Sequence, residues 1–164
     1  MSINLLTIDP GNHTGWCLIS KNHRMDSGHF SASGELSIYI HQMRRMFCNL
    51  VNGEIIGTPH DAVIDLCIIE GVQVYGDSLK SQTSAKRGDL VRLSYLIGMY
   101  AGICDEFSIP FHVVTAKEWK GQWTKAATIA YVKRQLNYEL PGASEHEYDA
   151  VAMGLRYVEG KIKI

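Results

Sequence analysis

The sequence predicts an α/β fold, because strand-like and helix-like patterns alternate along the chain. Leu5 to Ile19 holds two apolar runs broken at Pro10 and Gly11, which is typical of two adjacent antiparallel strands. Ala62 to Glu70 is almost continuously apolar, as expected for a central strand covered on both faces. Elsewhere apolar residues recur at three- and four-residue spacing, which indicates amphipathic helices.

Length and composition indicate one domain with a sizeable core, since the chain has 164 residues and ordinary globular composition. There is no leader-like N-terminus and no apolar run that could span a bilayer, so we expect no membrane association. The net charge of −1 argues against a surface that is basic throughout but allows a local basic face. Four separated cysteines in apolar segments are expected to be reduced, which favours a cytoplasmic location: Cys17, Cys48, Cys67 and Cys104.

The remaining elements follow from changes of period. Met25 to Ser31 is a weak third strand, and a helix stripe begins after Glu35 and ends at Asn52-Gly53. A second helix covers Leu90 to Phe107. Its Gly98 and Gly102 allow close packing, either on the chain's own sheet, which we favour, or against a second subunit.

A basic segment follows the fifth strand, Phe111 to Thr115. Residues 115–134 carry a net charge of +4 and interleave lysines with tryptophans, a pattern that suits nucleic acid as well as a solvated face. Thr124 is expected to cap the next helix. The last helix begins at Ser144 in a predicted capping box, with the Glu147 side chain reaching back to the cap.

Carboxylates recur at the ends of these elements. Asp9 ends the first strand, Glu70 ends the fourth, and His146 and Asp149 share one face of the last helix's first turn. Taken singly, Asp9 could merely start a turn, and acids in a first helical turn often only complement the helix dipole. The histidine beside Asp149 has no such explanation.

The element order is that of the RNase H-like fold, a mixed five-stranded sheet with helices on both faces, in which strands one and four are neighbours. In that fold Asp9, Glu70 and Asp149 would meet at one rim. Three crowded carboxylates repel one another, and a pair of hard divalent cations such as Mg²⁺ or Mn²⁺ would reconcile them.

The chain resembles the RuvC-type Holliday junction resolvases, especially those that bacteriophages encode. The resemblance rests on Ile8-Asp9-Pro10-Gly11 with Thr14-Gly15, on Ile68-Ile69-Glu70, on His146-x-x-Asp149-Ala150, and on the basic segment Val113 to Lys125. It spans nearly the whole chain, and the family's fourth acidic position can be histidine, as at His146. Cellular members carry an aromatic residue three positions after the glutamate, where this chain has Gln73 and, nearby, Tyr75.

The resemblance implies a homodimeric endonuclease that uses two Mg²⁺ ions, or Mn²⁺, to cut four-way DNA junctions in a bacterial or phage-infected cell. Asp9, Glu70, His146 and Asp149 would be the metal ligands and catalytic residues. His146 could instead carry protons. The expected DNA-binding residues lie in the loop after Glu70 and in the basic segment: Tyr75, Lys80, Lys86, Arg87, Lys117, Lys120 and Lys125.

Three other interpretations remain open. The same fold could cut flaps, forks or structured RNA. The Asp-x-Gly-x-x-Thr-Gly hairpin also resembles the phosphate loop of actin-like ATP-binding proteins, but those need two lobes and this chain has the length of one. A non-catalytic junction-binding protein is the last alternative, and such a protein has no use for four candidate ligands.

Overall fold

The structure, a computed structural model, describes residues 3–54, 63–72 and 89–162. In this part of the chain three strands precede a helix, and a strand, a helix, a strand and three helices follow. The strands are β1 (Leu5–Asp9), β2 (His13–Ile19), β3 (Met25–Ser31), β4 (Leu66–Gly71) and β5 (Phe111–Thr115). The helices are α1 (Leu36–Val51), α2 (Asp89–Glu106), α3 (Ala116–Trp119), α4 (Lys125–Leu136) and α5 (Glu145–Val158).

The strands form one mixed sheet in the order β3-β2-β1-β4-β5. β1, β2 and β3 pair antiparallel, whereas β4 pairs parallel to both β1 and β5. β1 is therefore the central strand, with β2 on one side and β4 on the other. Both β1 and β4 are buried along almost their whole length. This confirms the predicted fold class, including the adjacency of the first and fourth strands.

Helices cover both faces of the sheet and give two apolar layers. On one face α1 and α2 pack against the sheet through residues such as Tyr39, Phe47 and Tyr100. On the other face α3, α4 and α5 pack through Trp119, Tyr131 and the apolar side of α5. α5 lies over β1 and β2, where the buried Thr7 hydroxyl donates to the Ala150 carbonyl at 2.7 Å. This placement carries the start of α5 to the rim at which β1 ends.

Local signals in the sequence located most element ends. α1 runs from Leu36 to Val51, and Gly53 has the left-handed φ of 76° expected just beyond a helix end. Thr124 caps α4 as predicted, since its side chain accepts from the Ala127 backbone N–H. β4, however, is shorter at its start than predicted, since residues 63–65 are not in a strand, and it ends at Gly71, one residue after Glu70.

The expectation that Gly98 and Gly102 pack on the chain's own sheet is wrong for the described residues. A Cβ built at either glycine meets no described atom within 4 Å. Both glycines line an open depression of about 620 Å³ between α1 and α2, together with the exposed Tyr95. This face of α2 is therefore open in the described structure.

The cysteines are free thiols: Cys17, Cys67 and Cys104 are buried, and Cys48 is half-buried. Among the helices in the described ranges, none combines the length and the apolar character needed to cross a bilayer.

Candidate metal centre

The pairing of β1 with β4 brings Asp9 and Glu70 together. Ile8 lies opposite Ile69 in the parallel register, so the next residue of each strand, a carboxylate in both cases, lies at the same rim. Asp9 is only 6% exposed, and Glu70 is half-buried. The chain can turn away after β1 because Thr14 and Tyr39 both donate to the Gly11 carbonyl, at 3.1 and 2.7 Å.

The start of α5 brings the third carboxylate, Asp149 at the beginning of the second turn, to this rim. Its backbone lies directly against β2: a Cβ at Gly15 would be 2.1 Å from the His146 carbonyl oxygen, so only glycine allows this approach. A Cβ at Gly11 would lie 2.9 Å from Cε1 of the His146 ring. The two glycines of the β1–β2 hairpin therefore form the surface on which His146 rests.

Asp9, Glu70 and Asp149 each offer one carboxylate oxygen, and these three atoms all lie within 4.8 Å of one another. Within the described ranges this is the group of three or more potential ligands, from His, Cys, Asp and Glu, that lie close enough together to hold a metal ion. His146 is not part of that set. Its Nδ1 instead lies 2.7 Å from Asp9 Oδ2, so it contacts the cluster through Asp9.

Two further side chains, Trp119 and Lys120, contact the carboxylates of the site. The sequence patterns predicted neither contact. The Trp119 indole, fully buried, donates from Nε1 to Glu70 Oε2 at 2.7 Å. The Lys120 ammonium donates to Asp149 Oδ2 at 2.8 Å and lies 4.8 Å from the centre of the Trp119 ring. Lys120, which the sequence placed among solvated DNA-binding residues, has a side chain only 17% exposed and contacts the carboxylate cluster.

Charge crowding and burial set the protonation of the cluster. Burial, followed by the charge of Asp9, raises the pKa of Glu70 to about 8. Burial also raises the pKa of Asp9, against the opposing effect of its hydrogen bond to His146. That same hydrogen bond raises the pKa of His146. For Lys120, burial would lower the pKa, but Glu70 and Asp149 outweigh it and raise the pKa. Without a bound cation Glu70 therefore retains its proton near neutral pH, because its pKa is about 8.

These shifts predict a loss of stability with rising pH in EDTA. A folded-state pKa above the unfolded value means that the folded protein binds more protons, so the free energy of unfolding falls as pH rises. The pKa of Glu70 rises from 4.5 in the unfolded chain to about 8 in the folded protein, and the pKa values of Asp9 and His146 are also raised. We expect the melting temperature to drop by roughly 5–10 °C between pH 5 and 8.

Thermal unfolding of the wild type and of Glu70→Gln in EDTA tests this prediction. The amide does not titrate, so the variant should show a distinctly flatter pH dependence. Equal slopes for the two proteins would contradict the assignment of the effect to Glu70.

The predicted capping box at the start of α5 is half correct. Ser144 accepts from the Glu147 backbone N–H as expected. The Glu147 side chain does not reach back, however. It is 7% exposed and accepts from Ser27 Oγ at 2.8 Å, with His29 Nδ1 at 3.2 Å. Glu147 therefore links the first turn of α5 to β3 by hydrogen bonds. A buried carboxylate needs polar partners, and Ser27 and His29 supply them.

The other predicted DNA-binding residues divide into two groups. Lys117 and Lys125 are exposed near the carboxylate rim, and Lys125 forms an ion pair with Glu145. Tyr75, Lys80, Lys86 and Arg87 lie outside the described residues, as does Gln73. A capping box at Thr115 and Glu118, which the sequence interpretation missed, fixes the short helix α3 that bears Trp119.

Comparison with solved structures identifies the same fold in RuvC. The chain superposes on Thermus thermophilus RuvC in complex with a Holliday junction substrate with a TM-score of 0.68 and 13% identity, covering 98% of this chain and 99% of that one. A second structure of Thermus thermophilus RuvC gives a TM-score of 0.63 at 13% identity, with the same coverage. No protein-family model and no curated protein sequence matches the chain. The chain has the RNase H-like fold, in the form found in RuvC.

Proposed function

We propose that this protein is a metal-dependent, structure-selective endonuclease that resolves four-way DNA junctions by paired phosphodiester hydrolysis. The observation that carries the proposal is the cluster of Asp9, Glu70 and Asp149, whose oxygens lie within 4.8 Å of one another at the rim of an RNase H-like sheet. The similarity in fold to RuvC bound to a Holliday junction supports the substrate class.

The residues at the rim fit Mg²⁺ or Mn²⁺. All three clustered ligands are carboxylates, the oxygen donors that these hard ions prefer. The pKa of Glu70, raised to about 8 mainly by burial and then by the charge of Asp9, indicates a need for positive charge at this rim. We propose that Asp9, Glu70 and Asp149 would together hold two such ions. Bound there, the ions would activate a water and stabilise the leaving oxygen.

The protein's own residues would orient this centre. Trp119 holds one Glu70 oxygen by its indole N–H, which leaves the other oxygen for a ligand role. Lys120 places a positive charge beside Asp149, where it can neutralise a phosphate oxygen or the excess charge of the cluster. We propose that His146 either joins Asp149 as a ligand or carries a proton. Its hydrogen bond to Asp9 orients the ring for the second role.

DNA would be recognised through phosphate contacts. Two of the contacting residues would be Lys117 and Lys125, which are exposed in the basic segment beside the rim. The others would lie in the loop after Glu70: Tyr75, Lys80, Lys86 and Arg87. A four-way junction has near two-fold symmetry, so we propose a homodimer with two active sites. The open face of α2 at Gly98 and Gly102 is a surface that a second copy could cover. We further propose that the protein is most like the phage-encoded resolvases and acts in the cytoplasm of a bacterial or phage-infected cell.

The decisive experiment incubates the purified protein with end-labelled four-way, forked and linear DNA of matched sequence, in Mg²⁺, in Mn²⁺ and in EDTA. We expect paired nicks at symmetric positions of the four-way junction in either metal, little cutting of linear duplex, and none in EDTA. Equal cutting of forks or flaps would instead favour a general branched-DNA nuclease. Tight junction binding without cleavage in any metal would identify a binding protein.

A further inference from the structure

A cavity of about 340 Å³ adjoins the metal-binding rim. It lies between the β1–β2 hairpin, α1 and the start of α2, and the His146 ring forms part of its wall. A second groove of about 440 Å³ shares Asn12, His13, Tyr39 and Arg92 with it and continues to residues 31–34. The two together form a groove that leads away from His146 along the β1–β2 hairpin.

Arg92 stands where the two parts of the groove meet, and its side chain is held in place. Its guanidinium carbon lies 5.2 Å from the centre of the Tyr39 ring, and Nη1 donates to Asn12 Oδ1 at 3.4 Å. Tyr39 is itself fixed, since it is buried and its hydroxyl donates to the Gly11 carbonyl. Arg92 is thus positioned by the same hairpin that supports His146.

The charge of Arg92 is not neutralised within the described part of the chain. Asp89 lines the same cavity, yet no described carboxylate lies within ion-pair distance of the Arg92 guanidinium. Arg24 and Arg44 differ, since they pair with Asp26 and Glu106, each at 3.3 Å. Arg134 and Arg156 also stack on aromatic rings, but neither lines the cavity beside His146, as Arg92 does. An ordered arginine that has no acidic partner among the described residues, beside a cluster of carboxylates that it does not touch, is suited to an external anion.

We infer that Arg92 binds a backbone phosphate of the DNA strand that enters the metal-binding rim, close to the phosphate that is cut. A guanidinium stacked on an aromatic ring still presents the N–H groups of its edge, which match two oxygens of a phosphodiester. The strand would then lie in the groove past Asn12 and His13, while Lys117 and Lys125 contact DNA elsewhere. This inference rests on the proposed nuclease function and adds a strand-binding groove to it.

Junction binding by Arg92→Ala and Arg92→Lys, measured in EDTA by fluorescence anisotropy over a range of salt concentrations, tests the inference. Arg92→Ala should weaken binding by roughly tenfold to a hundredfold, as for loss of a hydrogen bond to a charged group. The slope of log affinity against log salt should become shallower by about one unit. Arg92→Lys keeps the charge but not the fork, so its slope should stay near that of the wild type while its affinity falls.

The control is Arg24→Ala, which also removes an exposed arginine, but one paired with Asp26 at the other end of the β2 strand. It should bind as the wild type does. Wild-type affinity and salt slope in Arg92→Ala, with DNA binding by the wild type intact, would overturn the inference alone. Failure of the wild type to bind any branched DNA would instead overturn the proposed function.

A methylphosphonate scan locates the contact independently of any effect on folding. Each phosphate near the cut site is replaced in turn by a neutral methylphosphonate, and binding is measured for the wild type and for Arg92→Lys and Arg92→Ala. At one phosphate flanking the cut site, the replacement should weaken the wild type but add little to the loss in Arg92→Ala. Additive losses at every position would show that Arg92 contacts no phosphate in this strand.

Discussion

Asp9→Asn should reduce junction cleavage by roughly a thousandfold or more, which is the effect of losing several kcal/mol of metal-dependent stabilisation. Asp9 is central to the candidate site: it lies with Glu70 and Asp149 in one cluster, and it contacts His146 at 2.7 Å. The amide has nearly the same shape but no charge, so it would hold divalent cations poorly. The measurement is single-turnover cleavage of a four-way junction in Mg²⁺ and in Mn²⁺.

The same variant should fold and bind DNA. Asp9 is 6% exposed and its pKa is raised mainly by burial, so replacement by a neutral amide removes a buried charge and leaves an acceptor for His146. Junction affinity in EDTA should equal or exceed that of the wild type, because one negative charge near the phosphates is gone. Asp26→Asn, at a carboxylate paired with Arg24, is the matched control and should cleave normally. Substantial cleavage by Asp9→Asn would remove Asp9 from the proposed centre.

The meeting of Asp9 and Glu70 was predictable because strand ends have strong local signals. An apolar run that ends in an acid before Pro10-Gly11, and another that ends in an acid before Gly71, each mark the end of a buried strand, although β4 runs one residue beyond Glu70. Once the two strands are neighbours, their parallel register places Asp9 and Glu70 side by side. Asp149 was predictable for a similar reason, since Ser144 marks the first turn of α5 and thereby the residues that face the rim.

Trp119 and Lys120 show where such reasoning stops. They lie at the end of a helix of four residues, which is too short for a periodic pattern to reveal which side is buried. Lysines and tryptophans in a polar segment therefore resembled a solvated basic face. Only the packing of α3 against the sheet shows that Trp119 is fully buried and bonded to a carboxylate 49 residues earlier in the chain.

Glu147 illustrates the same limit for a side chain whose partners are remote. Its local sequence context, Ser-Glu-His-Glu, is a good match to a capping box. Its actual partners, Ser27 and His29, lie on the edge strand β3, about 120 residues away. Arg92 was missed because one arginine on a helix with many apolar residues gives no signal until Tyr39 and Asn12 are seen beside it.

His146→Ala should lower the rate of junction cleavage by roughly a hundredfold, in line with loss of a ligand or of a general acid or base. A histidine that merely occupied the helix start would have no such effect. The structure argues against that role, because the ring rests on Gly11, contacts Asp9 at 2.7 Å and has its pKa raised by that contact. His112→Ala, an exposed histidine on the edge strand β5, is the control and should retain wild-type activity.

His146→Asp separates the two functional roles. If His146 is a ligand, a carboxylate is the harder donor, so the variant should retain much of its activity in Mg²⁺, and His146→Ala should need more metal for half-maximal rate. If His146 carries a proton, both variants should be slow at saturating metal with an unchanged metal requirement, since aspartate titrates far below neutral pH. We expect the second pattern, because His146 is outside the set of clustered carboxylates and its Nδ1 is hydrogen-bonded to Asp9 at 2.7 Å. Initial rates for the three proteins, over titrations of Mg²⁺ and Mn²⁺, give the answer. A His146→Ala protein as fast as the wild type at every metal concentration would reduce the centre to its three carboxylates.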